Sequence, residues 1–312
     1  LKTQIVNGTE TDDFQQVVGL IALYGQGGAL FCSGTLVSPT DIVTAAHCVD
    51  GMQSHLNNGA RPTVIVGGDI YAGEVFHSSE ITDWTNHPSW NGSVNGGADI
   101  AVMSFSDPYR THPPMPLFSG DATRIPGGEV FDFVGFGVTG DNRGDSGVKR
   151  TVDIAFQRIR GDFLLSEDPS KNLCSGDSGG AALRREGQGW SLVGVNSFVY
   201  DTAGDNSSCF TGGNGVTRID LFRDWIYDNT NAVEGGDTGD TGDTGDTGDT
   251  GDTGDTGDTG DTEEPKTDFG DWSEPARPPE IAVSACSSTG AGGGLGLLMV
   301  GGLIGLLRRR RR

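Results

Sequence analysis

Short apolar runs, separated by glycine, asparagine, aspartate and proline, recur along the first 231 residues. The clearest runs lie at 17–23, 31–37, 42–46, 63–68, 100–105, 130–137 and 190–198. Runs of this length, bounded by turn-forming residues, predict the strands of an all-β barrel or sandwich. Residues 219–227 differ, because their apolar positions have helical spacing and predict a C-terminal helix. The proline-rich stretch 111–116 is a poor strand and predicts a connection between two β units.

The apolar pattern stops at the segment 232–280, which we interpret as an acidic linker. Within it, Gly-Asp-Thr repeats nine times over the 27 residues 236–262. The repeat has no apolar side chain to bury, so it predicts a disordered segment, and like charges at every third position keep it extended. Glycine at every third position also fits a collagen-like helix, and the carboxylates could bind calcium loosely. The absence of proline favours a solvated spacer.

The last segment, 281–312, combines an uncharged hydrophobic stretch with five arginines at 308–312. Its most apolar part, 295–307, would span about 20 Å as a helix, which is shorter than the roughly 30 Å hydrocarbon core of a membrane. The segment resembles the bacterial sorting tails called MYXO-CTERM and GlyGly-CTERM. This resemblance implies processing by sorting machinery during export, near Cys286. The alternative is a weak membrane anchor with a cytoplasmic arginine flank.

Charge is distributed unevenly along the chain. The net charge is −22, of which the linker carries −14 and the segment 281–312 carries +5, so residues 1–231 carry −13. An acidic domain repels phosphates, which argues against nucleic acid as a partner. No spacing typical of metal ligands or of a dinucleotide cofactor occurs, so we expect neither a metal nor a cofactor. Four histidines are interpreted as ordinary loop residues: His55, His77, His87 and His112.

Three short motifs carry groups that could catalyse a reaction. Ser178 lies in Gly-Asp-Ser-Gly-Gly, among small residues that allow a sharp turn, and Gly176 lets its N–H approach a reacting carbonyl because it has no Cβ. His47 lies in Ala-Ala-His-Cys, and Asp99 lies in Ala-Asp-Ile directly before an apolar run. The glycine-rich motif alone could be an ordinary turn. Together the motifs supply a nucleophile, a base and an acid that orients the base.

With these motifs, residues 5–231 resemble the chymotrypsin/trypsin family of serine endopeptidases, which has His, Asp and Ser in this chain order. The resemblance implies two six-stranded antiparallel β-barrels with a C-terminal helix and the active site between the barrels. It also implies that His47 is the general base, that Asp99 fixes the imidazole and that Ser178 is the nucleophile. The N–H groups of Gly176 and Ser178 would form the oxyanion hole. The substrates would be proteins or peptides.

Four of the five cysteines lie in the protease-like part, and the fifth is Cys286. The sequence by itself allows three pairings of the four, or four free thiols. The resemblance pairs Cys32 with Cys48 and Cys174 with Cys209. Disulfides imply an oxidising compartment, so we expect export to the extracellular space or the bacterial cell surface. Because the sequence starts without Met or a hydrophobic leader, we expect that a signal peptide has been removed.

Residues 1–4 resemble a short pro-segment ahead of Ile5. In the family, cleavage before such a residue frees an amine that pairs with the acid preceding the nucleophile, here Asp177. The pairing is physically reasonable, because a buried carboxylate needs a cationic partner. The resemblance therefore implies a zymogen and an activating protease, although Gln4 departs from the basic residue that would invite trypsin-like cleavage. The alternative is that Ile5 begins an ordinary strand.

The resemblance places Asn172 at the base of the primary specificity pocket, where a neutral side chain cannot supply a charge for Arg or Lys. Ser197 and Val199 match one wall, and we expect Val199 to narrow it. Gly215 matches the opposite wall, and we expect it to leave that side open. These features predict a preference for small or medium uncharged P1 side chains. In the alternative, Asn172 points away and an acid within 201–205 restores a basic preference.

Two other classes of function are compatible with the sequence. The chain could be a catalytically silent binding module with a protease fold on the cell surface, although the complete set of His47, Asp99 and Ser178 argues against it. It could also be a surface structural protein in which the repeat and the hydrophobic tail carry the function. Labelling by a serine-reactive phosphonate would separate the first alternative from an enzyme. Peptide hydrolysis by residues 5–231 alone would exclude the second.

Overall fold

A computed structural model describes residues 5–25, 27–200, 209–210 and 212–233. The strands of this part are β1 (Thr9–Glu10), β2 (Val17–Tyr24), β3 (Gly27–Leu36), β4 (Asp41–Thr44), β5 (Arg61–Gly67), β6 (Val75–Asn86), β7 (Ala101–Phe105), β8 (Val130–Gly135), β9 (Arg150–Arg160), β10 (Phe163–Glu167), β11 (Ala181–Glu186), β12 (Gly189–Tyr200) and β13 (Gly213–Arg218). Its α-helices are α1 (Ala46–Asn57) and α2 (Arg223–Asn229). Four sets of predictions concern residues outside the described part of the chain. They are the predictions for residues 1–4, for the acid within 201–205, for the Gly-Asp-Thr repeat and for the segment 281–312.

The first barrel is a closed antiparallel sheet in the order β2-β3-β4-β7-β6-β5. Its apolar strands are those that the sequence predicts, and their side chains fill the barrel: Val18, Leu20, Ile42, Val64 and Met103 are all nearly inaccessible to solvent. Strand β6 was not predicted, because of its 12 residues only Ser79 and Ile81 are buried. The barrel closes where β5 pairs with β2, Ile65 opposite Gly19.

The second barrel contains six strands in the order β9-β10-β13-β12-β11-β8, and the pairing of β8 with β9 closes it. The short strand β1 adds to β9 at this seam, Glu10 opposite Arg150. Alternate residues of β8 and β9, including Phe131, Phe133 and Ile154, point into one apolar cluster. The structure therefore confirms the predicted fold of two six-stranded antiparallel barrels.

The connections agree with the predicted division into two β units. The proline-rich stretch 111–116 forms no strand, and it passes from the first barrel, where Met115 N donates to Leu36 O at 2.8 Å, to the second, where Leu117 pairs with Leu192. Helix α2 forms at the predicted C-terminal position and buries Ile226. Among the described residues, no helix is long and apolar enough to cross a membrane.

Helix α1 was not predicted, although His47 is its second residue. Its buried residues are Ala46, Cys48, Val49 and Met52, which have helical spacing. Gly51 and the polar second half weaken that pattern, because glycine lowers helix propensity by about 1 kcal/mol relative to alanine. The helix matters for function because its first turn contains the candidate base, His47.

Candidate active site

His47 and Asp99 form a tightly held pair at the edge of the first barrel. His47 Nδ1 lies 2.8 Å from Asp99 Oδ2, and the backbone N–H of His47 donates to Asp99 Oδ1 at 2.9 Å. Asp99 is completely buried, and Ser197 Oγ also donates to its Oδ2 at 2.5 Å. Burial alone would raise the pKa of Asp99, but His47 and the hydrogen bonds from His47 and Ser197 outweigh it and hold this pKa below its ordinary value.

The tautomer of His47 follows from this arrangement. An ionised carboxylate can only accept hydrogen bonds, so Nδ1 of His47 carries the proton that is donated to Asp99. In the neutral imidazole, Nε2 is then the proton acceptor. The pair thus presents a base whose orientation and tautomer are both set by a buried anion.

Asp162 and Thr217, which the sequence motifs did not reveal, hold the backbone that carries Asp99. Gly97 and Ala98 both have positive φ angles, 78° and 53°, and a positive φ is unfavourable for alanine. Asp162 Oδ2 accepts a hydrogen bond from Ala98 N at 3.0 Å, and Thr217 Oγ1 donates to Asp99 O at 2.9 Å. Both partners belong to the second barrel region, so the packing of the two barrels positions the acid.

Ser178 lies in the loop that precedes β11, between two glycines with positive φ, Gly176 at 95° and Gly179 at 79°. The tight turn cannot accept a larger residue at 179, because a Cβ there would lie 2.1 Å from Thr44 Oγ1. The carbonyl of Ser178 accepts a hydrogen bond from Ser33 N at 2.8 Å. Ser178 is 4% exposed and lines a pocket together with Ser197, which contacts Asp99. Ser178 therefore lines the same pocket as the serine that is hydrogen-bonded to Asp99.

Ser33, a residue that the sequence analysis did not single out, fixes the peptide of Gly176. Its Oγ donates to Gly176 O at 2.8 Å and accepts from Phe136 N at 3.0 Å. With the carbonyl of Gly176 bound on this side, no described residue accepts a hydrogen bond from the Gly176 N–H. This leaves that donor near Ser178 without an internal acceptor, as an oxyanion-binding group requires.

Asp177 is fully buried behind Ser178. Gly137 N donates to its Oδ1 at 2.8 Å, and Cys174 N donates to its Oδ2 at 2.9 Å. Burial raises the pKa of Asp177 to about 6, although these two N–H groups and the charge of Arg150 oppose the rise. A further cation close to this carboxyl group would stabilise its ionised form and lower its pKa.

Ile5 is also fully buried, within the apolar cluster of the second barrel. The following residue, Val6, pairs with Asn172 in an isolated β-bridge, and the first strand begins only at Thr9. Ile5 therefore does not begin an ordinary strand, and its segment packs against the stretch that leads to Asp177.

The pocket beside Ser178 is small, with a cavity volume of about 10 Å³ and an opening to solvent. It is lined by Leu173, Cys174, Ser178, Asn196, Ser197, Phe198 and Val199. Of the residues predicted to form the specificity pocket, Ser197 and Val199 line this one. Asn196 and Phe198 were not predicted as pocket residues, although both are adjacent to Ser197 in the sequence.

Asn172 and Gly215, the other two predicted pocket residues, do not line this pocket. Asn172 is buried, and its Oδ1 accepts from Leu173 N at 2.9 Å and from Asn214 Nδ2 at 3.2 Å, so its amide is engaged within the protein. At Gly215, an added Cβ would lie 2.3 Å from Cζ of Phe198. The side that we expected Gly215 to leave open is therefore covered by an aromatic ring, which Phe163 holds edge-on at 5.0 Å.

Two disulfides surround the site, Cys32–Cys48 and Cys174–Cys209. The first joins β3 to helix α1 at the residue after His47, and the second anchors the loop that leads to Ser178. Among the described residues, two groups of side chains lie close enough together to hold a metal ion: Cys32, His47 and Cys48, and Asp141, Cys174 and Cys209. In both groups the two cysteines form a disulfide. Because a disulfide sulfur is not a thiolate, neither group is a metal site.

Comparison with known proteins is consistent with this geometry. The sequence model of the family described as "Trypsin" matches residues 5–226. Brachyurin of Leptuca pugilator is 30% identical over 214 residues, which are 64% of this chain and 88% of that protein. A trypsin of Saccharopolyspora erythraea is 26% identical over 229 residues, which are 72% of this chain and 98% of that protein.

Among solved structures, human heparin binding protein superposes with a TM-score of 0.58. The match covers 74% of this chain and 98% of that protein, at 19% sequence identity. At this identity the likeness concerns the fold alone. It supports the arrangement of two barrels around the site.

Proposed function

The chain belongs to the trypsin family of serine endopeptidases, and from this premise we propose that it hydrolyses peptide bonds with Ser178 as nucleophile, His47 as general base and Asp99 as the orienting acid. The observation that carries the proposal is the buried Asp99, which binds both the ring and the backbone N–H of His47. The location of Ser178 in the pocket beside Ser197 is further support.

In the proposed reaction, Ser178 Oγ attacks the scissile carbonyl carbon while His47 Nε2 takes the hydroxyl proton. Asp99 stabilises the imidazolium through its hydrogen bond to Nδ1. The N–H groups of Gly176 and Ser178 stabilise the oxyanion of the tetrahedral intermediate. His47 then donates its proton to the leaving amine, which leaves an acyl-enzyme. Water, deprotonated by His47, hydrolyses this ester and restores Ser178.

The chain that begins at Leu1 is proposed to be a zymogen. In this form the nitrogen of Ile5 is part of a peptide bond and carries no charge, while Asp177 is a buried carboxyl group with a pKa of about 6. A free Ile5 amine would supply a further cation. Mass spectrometry of the active enzyme should find Ile5 at the N-terminus. Full activity with residues 1–4 still attached would contradict this part of the proposal.

The primary pocket is proposed to accept small or medium uncharged P1 side chains. Asn172 offers no negative charge, and its amide is bound to Asn214 and to the backbone. Phe198 and Val199 line the pocket and limit its width. Aromatic and aliphatic walls of this kind discriminate by size in a graded way, about 1–3 kcal/mol per methylene group.

Export and processing complete the proposal. The two disulfides are typical of proteins that function in oxidising compartments. The hydrophobic stretch 295–307 and the arginines 308–312 are proposed as a signal read by sorting machinery, with cleavage near Cys286. Intact 308–312 on the mature protein would contradict processing.

The proposal is tested with Ser178→Ala in the form that begins at Ile5. Loss of the hydroxyl should reduce peptide hydrolysis to at most about 10³–10⁴ times the uncatalysed rate, since the oxyanion hole and substrate binding alone account for that much. Ser191→Ala is the matched control, because Ser191 is another buried serine of the second barrel, in β12. It should keep wild-type activity. Activity of Ser178→Ala equal to that of an active control would mean that another residue is the nucleophile, and absence of hydrolysis in the parent chain as well would favour a catalytically silent binding module.

A further inference from the structure

Arg150 is a buried cation that the proposed catalytic residues do not use. It lies at the start of β9, and only 1% of its surface is exposed. A guanidinium group in such a position is unfavourable unless it is paired and hydrogen-bonded. The negative charges that act on it come from Asp145, Asp177, Glu10 and Asp69. Of these four, Asp177 is the one next to the candidate nucleophile.

The peptide chain at Gly137 links Arg150 to Asp177. Arg150 Nη1 donates to Gly137 O at 2.7 Å, and Gly137 N donates to Asp177 Oδ1 at 2.8 Å. Residue 137 must be glycine for this approach, because a Cβ would lie 2.6 Å from Asp177 Cγ. Arg150 and Asp177 thus bind the two successive peptide groups on either side of the Gly137 Cα.

The same segment also supports the loop that carries Ser178. Val138 N donates to Ser175 O at 2.8 Å, and a Cβ at Gly176 would lie 2.9 Å from Gly137 Cα. Displacement of Gly137 would therefore move Asp177 and the N–H of Gly176 together. Arg150 also binds Asp145 O at 2.9 Å, which fixes the guanidinium from a second direction.

We propose that Arg150 is a positioning residue that holds the Asp177 carboxylate, and with it the loop 174–178, through Gly137. This inference rests on the proposed role of Asp177. In the chain that begins at Leu1, where the Ile5 nitrogen is uncharged, Arg150 supplies the positive charge that acts on Asp177. In the form that begins at Ile5, the free amine supplies a second cation. Arg150 should therefore matter more before cleavage than after it.

The test compares Arg150→Met in the two forms, one that begins at Leu1 and one released from a cleavable leader to begin at Ile5. In the Leu1 form, kcat for a fluorogenic peptide should fall at least about tenfold, the factor that corresponds to one unit of pKa. In the Ile5 form it should fall at most about threefold, with KM nearly unchanged in both. Arg150→Lys keeps the charge and should restore part of the activity of the Leu1 form.

Arg158→Met is the matched control, because Arg158 lies on the same strand with a 53% exposed side chain. It should leave both forms unchanged. General damage to the fold by Arg150→Met would lower both forms by the same factor. That result, or unchanged activity in both forms, would overturn the proposal.

A second measurement needs no enzymatic activity. In a Ser178→Ala background, urea unfolding of Arg150→Met, Asp177→Asn and the double variant gives the coupling between the two residues. The proposal predicts coupling of at least about fivefold in the unfolding constant, and additive effects would overturn it. If Arg150→Met does not fold, the double variant should fold again, and its failure would also refute the proposal. If every form lacks peptidase activity but the coupling is present, the proposed function is wrong and the positioning role of Arg150 stands.

Discussion

The titration of Asp177 should make the uncleaved chain more stable as pH falls. The pKa of this buried carboxyl group is raised to about 6, against an ordinary value of 3.8. A raised pKa means that the folded protein binds the proton more tightly than the unfolded chain does. The resulting stabilisation is fully present below pH 3.8 and is lost as pH rises through about 6.

The size of the effect follows from the difference between the two pKa values. Two units correspond to about 3 kcal/mol in total, since one unit corresponds to about 1.4 kcal/mol. Between about pH 5 and pH 7 the folded group releases most of its proton while the unfolded group is already ionised. We therefore expect a loss of about 1 kcal/mol in unfolding free energy over this interval from Asp177 alone.

Urea unfolding of the chain that begins at Leu1 measures this difference. All variants carry Ser178→Ala, which removes the nucleophile and so prevents autolysis. The unfolding free energy of Asp177→Asn, subtracted from that of the parent chain at each pH, cancels the titration of all other groups. Asp228→Asn, which replaces an exposed carboxylate, is measured alongside as the control.

Two outcomes would decide this prediction. If the parent chain and Asp177→Asn show parallel pH dependence, the carboxyl group has no raised pKa and the reasoning from its burial is wrong. In the form that begins at Ile5, the free amine should lower the pKa of Asp177, so the excess stability at low pH should disappear. Persistence of the same slope in that form would refute the role of Ile5.

Three further predictions concern the site. Ser197→Ala removes a hydrogen bond to Asp99, and kcat should fall about tenfold at nearly constant KM, because hydrogen bonds to charged groups contribute about 1.5–3 kcal/mol; an unchanged kcat would contradict this. Replacing both Cys174 and Cys209 by alanine should lower the unfolding free energy by about 2–4 kcal/mol, measured by urea unfolding, and an unchanged midpoint would refute it. Because Asn172 is neutral, peptides with Arg or Lys at P1 should not be cleaved more than about tenfold faster than those with Ala, Val or Leu, as a peptide panel would reveal.

The three candidate catalytic residues could be predicted from the sequence because each lies in a short, distinctive motif. Ser178 lies among glycines that its turn requires, and His47 and Asp99 lie directly next to apolar strands. In the structure His47 is in helix α1, which follows β4, Asp99 precedes β7 and Ser178 precedes β11, so each lies close to the end of a barrel strand. Strand β9 was missed, although its buried positions alternate at Val152, Ile154 and Phe156, which is a detectable period-two signal.

The supporting residues could not be found in this way, since their roles arise from long-range contacts. Asp162 holds the turn before Asp99 from 64 positions away, and Ser33 binds the carbonyl of Gly176 across 143 positions. Neither lies in a distinctive motif. Arg150 is a basic residue in a strand, and nothing in its neighbourhood of sequence indicates that it is buried. Such contacts depend on how the barrels pack, which local patterns do not encode.

The most direct test of the central claim is to locate the site of covalent labelling. The form that begins at Ile5 is treated with a serine-reactive phosphonate at neutral pH, and the modified peptide is identified by mass spectrometry. We predict one adduct, on Ser178, and loss of labelling in His47→Ala, because the hydroxyl needs a base to become nucleophilic. Ser191→Ala should label like the parent chain. An adduct on another residue, or labelling that survives both Ser178→Ala and His47→Ala, would contradict the assignment.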